Sequence, residues 1–168
     1  MSSESTDVYQ RRSITPQYFH NKSGDQRHAA EILRSARQVP GDPYDLLSIE
    51  FMLYGLSLEL MFKAILLQQE HSFPRNHKLE ALARRAGFSW RDSDRRILRL
   101  LGHYIIWSGR YPTPNDKSEY KELGQLVSDV SERNKLGSML TLRFDPEVVT
   151  NTYHELWRTA NIVYLSNC

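Results

Sequence analysis

Apolar residues recur at intervals of three and four along most of this chain, which is the period of an amphipathic helix. Residues 25–38 show the pattern, with Ala29, Ile32 and Leu33 on one side and arginines on the other. No stretch alternates apolar and polar residues with a clean period of two, so the sequence predicts no sheet. We expect an all-α fold, a helical bundle of about five to six helices, with further helices over 78–86, 92–108, 116–133 and 145–165.

The segment 43–69 is apolar nearly all round rather than on one face. Other helices must cover such a helix on several sides, so we expect it at the centre of the bundle. It also carries Glu50, Glu59 and Lys63. Charges within an apolar stretch of this length argue against a membrane span, because they are costly in hydrocarbon.

Prolines and glycines mark the ends of the predicted helices. The Pro-Gly-Asp-Pro run at 40–43 ends the first helix, Gly87 ends the third, and Asp145 followed by Pro146 begins the last. Residues 1–20 are polar and show no apolar period, which predicts a flexible N-terminal lead-in. Residues 21–168 then form a single helical domain.

Composition narrows the functional classes without naming one. The 168 residues suffice for one sizeable core, and the formal net charge of +2 gives no general attraction for polyanions or anionic membranes. Any nucleic-acid binding must therefore come from a local patch. The single cysteine is Cys168, so no internal disulfide forms, and no targeting signal precedes the first helix. We predict a cytoplasmic protein.

The first candidate site is the pair Glu59 and Lys63, four residues apart on one face of the most apolar helix. An unpaired charge in these surroundings is costly, so we expect an ion pair extended by a third group such as His77 or Arg110. The pair is either a structural salt bridge or part of a polar pocket. His77 either caps the start of the third helix or faces a cleft.

A second candidate is the run Trp107-Ser108-Gly109-Arg110-Tyr111-Pro112. An arginine beside exposed aromatic rings suits phosphate contact combined with base stacking. Alternatively, Trp107 and Tyr111 plug the end of the bundle while Arg110 caps the carbonyls of the fourth helix.

A third candidate is the densest basic stretch of the chain, which indicates either a nucleic-acid patch or a solvated helix face. Its members are Arg84, Arg85, Arg91, Arg95, Arg96 and Arg99. The histidines are scattered without metal-ligand spacing, and no Gly-rich phosphate loop or nucleophile elbow is present. We therefore predict no metal and no cofactor.

The order of these features resembles a HEPN domain, the helical module named for higher eukaryotes and prokaryotes nucleotide-binding. The resemblance rests on Gly55 to Leu66, on His77-Lys78-Leu79-Glu80-Ala81-Leu82 with the following Ala86-Gly87, and on the Trp107 to Pro112 run. That last run is similar to a segment of an uncharacterised bacterial branch of the group. The resemblance covers residues 25–114.

The resemblance implies a homodimer and often a metal-independent ribonuclease in toxin-antitoxin, phage-defence or RNA-processing systems. Nuclease members carry an arginine, four to six residues, and a histidine, and Arg96 and His103 have this spacing. In that reading His103 is the general acid or base, and Arg96 stabilises the pentavalent phosphate as a ribose 2′-hydroxyl attacks.

Two hypotheses follow. The first is a module that binds a nucleotide, RNA or an antitoxin-like protein partner without catalysis, through Glu59, Lys63, His77, Trp107, Arg110 and Tyr111. The second is a ribonuclease that uses Arg96 and His103 in a dimer cleft.

Overall fold

In the computed structural model, residues 3–37, 46–69, 72–74, 76–136 and 139–167 are described. Seven α-helices form within these ranges, and a short π-helical segment continues the fifth. They are α1 (Ser3–Ile14), α2 (Pro16–Arg37), α3 (Leu47–Gln68), α4 (Leu79–Arg85), α5 (Asp92–His103), the π segment (Tyr104–Ser108), α6 (Lys117–Val130) and α7 (Pro146–Ser166). The all-α class is confirmed.

The predicted central helix is α3. It packs against α2, α4, α5, the π segment and α7, and Phe51, Leu58, Phe62 and Ile65 on it are fully buried. The Pro-Gly-Asp-Pro run and the predicted start of this helix lie outside the described residues. None of the helices within the described ranges is both long and apolar enough to cross a membrane.

Several predicted helix ends are confirmed. Gly87 follows α4 with a φ of +88°, the left-handed conformation that a glycine adopts without strain. Asp145 caps α7 by accepting a hydrogen bond from the Glu147 amide at 2.9 Å, and Pro146 occupies the first turn. Asp116 caps α6 in the same way through the Ser118 amide.

Two regions differ from the sequence prediction. The polar N-terminal stretch, which has no apolar period, is helical as α1 and the beginning of α2, with Pro16 in the first turn. The chain after α6 forms an antiparallel two-stranded hairpin of β1 (Glu132–Leu136) and β2 (Met139–Arg143), in which Glu132 pairs with Arg143. The hairpin was missed because a two-stranded ribbon needs no buried apolar face to pair its backbone.

A buried polar contact fixes α2 against α3 and α7. Ser23 Oγ donates to the Ser57 carbonyl at 2.7 Å, and Ser57 Oγ donates to the Ser23 carbonyl at 2.9 Å. Tyr153 and Trp157 of α7 donate to these two hydroxyls. Every member has a partner, so this network orients three helices without leaving a buried polar atom unsatisfied.

Candidate functional site

Glu59, Lys63 and His77 form one cluster, as the charge pattern predicted. Lys63 Nζ donates to Glu59 Oε1 at 2.5 Å, and His77 Nδ1 lies 2.7 Å from Glu59 Oε2. The third group is therefore His77 and not Arg110. Each carboxylate oxygen has its own partner, which is the condition for keeping a charge in the interior.

The cluster runs from the core to the surface. The side chains of Glu59 and Lys63 are 5% and 11% exposed, whereas that of His77 is 44% exposed. The Lys63 ammonium also lies over the Phe73 ring, 5.2 Å from its centroid. A buried carboxylate thus holds an accessible imidazole by Nδ1 and leaves Nε2 as the nitrogen that faces away from the cluster.

The accessible face of His77 borders a cavity of about 340 Å³ between α4, α5 and α6, which we call the central cleft. His103 lines the same cleft, although the two histidines belong to different hypotheses. The α5 backbone passes close to the segment that carries His77, because a Cβ at Gly102 would lie 3.7 Å from the His77 carbonyl oxygen, an ordinary van der Waals contact. Leu98 and Ile106 provide the apolar part of the wall.

His103 belongs to a charge network that joins α5 to α6. Glu122 Oε1 accepts from Arg99 Nη2 at 2.5 Å, and Glu122 Oε2 lies 3.5 Å from His103 Nε2. The hydrogen bond from Arg99 lowers the pKa of Glu122, and the nearby His103 contributes to the same effect. His103 is only 9% exposed, and its Nδ1 is enclosed without a hydrogen-bond partner among the described residues.

Arg96 lies outside this network. It is exposed and borders a shallow depression next to the central cleft, together with Arg95, Arg99, Glu80 and Asp92. His103 lies seven positions after Arg96, about two helical turns, so both project from one side of α5. The arginine that shares a partner with His103 is Arg99, and sequence reasoning did not single out this role or that of Glu122. No sequence signal pointed to Glu122, because the contact joins separate helices.

Most of the basic stretch is neutralised by local ion pairs. Arg84 pairs with Glu80 at 2.9 Å, Arg91 with Asp94 at 3.1 Å and Arg95 with Asp92 at 3.4 Å, all within one helical turn. Arg99 pairs with Glu122. Arg85 and Arg96 have no acidic partner among the described residues. These contacts fit the solvated-face interpretation better than a continuous basic patch.

In the Trp107 to Pro112 run, Trp107 and Arg110 take the predicted structural roles, whereas Tyr111 does not plug the end of the bundle. Trp107 is buried and Arg110 Nη2 donates to the Ile106 carbonyl at 2.5 Å, so Arg110 caps the end of the π segment. Tyr111 is exposed and, with Trp107 and Glu119, lines a cavity of about 500 Å³. Ile106 and Glu119 line both cavities, so this second cavity adjoins the central cleft.

Glu50 is a further buried carboxylate, and the sequence analysis did not predict its partner. Glu50 on α3 is fully buried, and Glu50 Oε2 accepts from Arg37 Nε of α2 at 2.8 Å. Burial raises the pKa of Glu50, and the contact with Arg37 opposes the shift. Nearby, Tyr54 donates to Glu31 at 3.0 Å, and burial raises the pKa of the Tyr54 phenol. Glu50 lines neither the central cleft nor the cavity beside Tyr111.

The described residues contain no group of three or more histidine, cysteine, aspartate or glutamate side chains that could hold a metal ion. The polar groups of the central cleft are imidazoles, guanidinium groups, an ammonium and carboxylates. The guanidinium and ammonium groups bind anions, and imidazoles and carboxylates can transfer protons. Comparisons with protein-family models, with curated proteins and with solved structures found no match to this chain.

Proposed function

We propose that this protein is a HEPN-like helical module that binds the phosphate groups of a nucleotide or an RNA strand in the central cleft. The observation that carries the proposal is the presence of His77 and His103 on one cavity, beside Lys78, Arg84 and Arg99. Histidine and arginine donors are suited to phosphate oxygens, and a half-exposed imidazole held by a buried carboxylate is ready to contact a ligand.

The adjoining cavity supports a ligand larger than a single phosphate. Tyr111 is exposed at its edge, and an exposed aromatic ring offers a stacking surface for a base. A nucleotide whose phosphate lies near His77 thus has an aromatic platform within the neighbouring cavity. The near-neutral charge of the whole molecule restricts this binding to the cleft.

Binding of a fluorescein-labelled single-stranded RNA and of 5′-AMP, measured by fluorescence anisotropy and calorimetry, tests the proposal. We expect His77→Ala and Arg99→Gln each to weaken binding about tenfold, as the loss of a charge-assisted hydrogen bond does. His28→Ala and Arg158→Gln are matched controls on exposed faces of α2 and α7. Absence of binding, or equal binding by all four variants, rejects the proposal.

The ribonuclease remains a second candidate because Arg96 has no acidic partner among the described residues and shares an α5 face with His103. Two copies in a homodimer would combine these residues across the interface. In this reaction the 2′-oxygen attacks phosphorus, and the bond from phosphorus to the 5′-oxygen breaks to give a cyclic phosphate. His103, as general acid or base, takes the proton of the 2′-hydroxyl or gives one to the leaving 5′-oxygen, which becomes a free hydroxyl.

Induced expression with growth and total RNA integrity as readouts distinguishes the two candidates. Loss of toxicity and of RNA cleavage with His103→Ala or Arg96→Gln, but not with His28→Ala, supports the nuclease. Normal growth and intact RNA with the wild-type protein support the binding module.

A further inference from the structure

An arginine and a histidine of α5 converge on a single carboxylate of α6. Arg99 Nη2 reaches one oxygen of Glu122 at 2.5 Å, and His103 Nε2 lies 3.5 Å from the other oxygen. Two donors that take different oxygens of one anion reproduce the way a protein grips a phosphate group. The carboxylate therefore occupies the position in which two phosphate oxygens would be bound.

We propose that Arg99 and His103 form an oxyanion subsite of the central cleft, and that the Glu122 carboxylate fills this subsite until a phosphate group of the ligand displaces it. This inference rests on the proposed binding function, and it adds a particular pair of donors and an internal competitor. The ligand chemistry is a phosphate oxyanion, either of a monoester such as a free nucleotide or of a diester in an RNA strand.

The side chains of His103 and Glu122 differ in solvent exposure. The His103 side chain is 10% exposed and is held by the packing of α5, whereas the Glu122 side chain is 43% exposed. A glutamate with this exposure has solvent into which it can rotate, and exposed side chains change rotamer rapidly. The His103 half of the subsite is thus held in place. The Arg99 side chain is 49% exposed, so Arg99 and Glu122 form an exposed ion pair, which is weak enough for the internal anion to be replaced.

Displacement of the Glu122 carboxylate changes the net charge of the central cleft. Its ionised side chains comprise three cations, Lys78, Arg84 and Arg99, and three anions, Glu80, Glu119 and Glu122. Apart from the histidines these charges cancel, so the lysine, arginine and glutamate side chains that line the cleft carry no excess charge while Glu122 is in place. When Glu122 rotates out, one positive charge is uncovered, and it matches the single charge of a phosphodiester group.

The lowered pKa of Glu122 agrees with this arrangement, because it shows that the carboxylate is stabilised in its charged form by Arg99 and His103. A purely structural role would make the same contact but would not affect a ligand. Measurements of ligand affinity, and not of stability, therefore distinguish the proposed subsite from a purely structural contact.

The test compares Glu122→Gln with Glu119→Gln, which removes the same charge from the same cleft at a position without an ion pair among the described residues. Calorimetry with inorganic phosphate and 5′-AMP covers the monoester arm, and a tetranucleotide with a 5′-hydroxyl covers the diester arm. Loss of a weak internal competitor raises affinity about twofold to fivefold in Glu122→Gln. Glu119→Gln changes affinity less.

A second variant, Glu122→Asp, retains the charge but shortens the side chain, so it cannot span Arg99 and His103. If the Glu122 carboxylate competes with the ligand for the subsite, this variant also raises ligand affinity. It keeps the proposal testable if Glu122→Gln does not fold. Adding Arg99→Gln to either variant abolishes the gain.

The outcomes also separate this inference from the proposed function. Binding that depends on His77 but is unchanged by Glu122→Gln and Glu122→Asp overturns the inference and leaves the function intact. An equal gain from Glu119→Gln and Glu122→Gln also overturns it, because general electrostatics then suffice. Absence of binding in every variant rejects both.

Discussion

Three charged residues of α3 lie within the core, and each is neutralised by a residue close in space. Glu50 pairs with Arg37 of α2, and Glu59 pairs with Lys63 one turn along the same helix and with His77 before α4. Burial without these partners would cost several kcal/mol per charge. The helix is therefore apolar by composition but depends on specific ion pairs in its interior.

Glu59→Gln is expected to lower the free energy of unfolding by about 3–5 kcal/mol, because it leaves the Lys63 ammonium in the core without its carboxylate. The double variant Glu59→Met with Lys63→Met removes both charges and replaces them with apolar side chains of similar length. We expect it to be more stable than Glu59→Gln alone. Chemical denaturation of the wild type, of Glu59→Met and Lys63→Met singly and of the double variant measures the coupling, and strictly additive losses would contradict the buried pair.

At the level of elements, the approach of α3 to the end of α5 depends on two glycines. A Cβ at Gly55 would lie 2.8 Å from Ile105 Cγ1 and 3.0 Å from the Leu101 carbonyl oxygen, and a Cβ at Gly109 would lie 2.5 Å from Met52 Cβ. The widened π segment that follows α5 therefore packs directly on the α3 backbone. This contact places Trp107 and Ile106 beside the two cavities.

Gly55→Ala is expected to destabilise the protein by about 1–3 kcal/mol, since the new methyl group must push Ile105 or the backbone aside. Gly24→Ala, on α2, is the matched control because nothing lies within 4 Å of its Cβ position. That variant should be stabilised by up to about 1 kcal/mol through helix propensity. Denaturant unfolding of both variants measures the difference, and similar effects at the two sites would show that no close approach exists.

At the scale of the whole molecule, the packed body extends from α2 to α7, and α1 lies outside it. Every residue from 7 to 14 is exposed, while Phe19 packs edge-on against Phe73 and His20 stacks on Tyr164. The anchoring of the N-terminal region therefore begins in α2. A helix whose described side chains, those of residues 7–14, are all exposed contributes little to the stability of the body.

Deletion of residues 1–14 should leave the free energy of unfolding within about 0.5 kcal/mol of wild type. Deletion of residues 1–20 removes the contacts of Phe19 and His20 and should be clearly destabilising. Thermal and urea unfolding of the two truncated proteins provide the measurement. A large loss of stability from the shorter deletion would show that α1 is part of the packed body.

Sequence patterning predicted the helices of the body because each must bury an apolar face with a period of 3.6 residues. It did not predict α1, whose few apolar residues do not recur with a helical period, or the hairpin, whose pairing is made by the backbone. The cluster of Glu59, Lys63 and His77 was predictable for a similar reason: a charge in an apolar helix requires a partner, and few candidates were available.

The number and order of the body helices, the central position of α3 and the need for an ion pair around Glu59 follow from the local pattern of residues. The tertiary structure decided which groups meet across elements. It brought His77 and His103 to one cleft, joined Arg99 and His103 through Glu122, and left Arg96 outside that network. Helical periodicity assigns each side chain to a face, but only the packing of separate helices determines which faces meet.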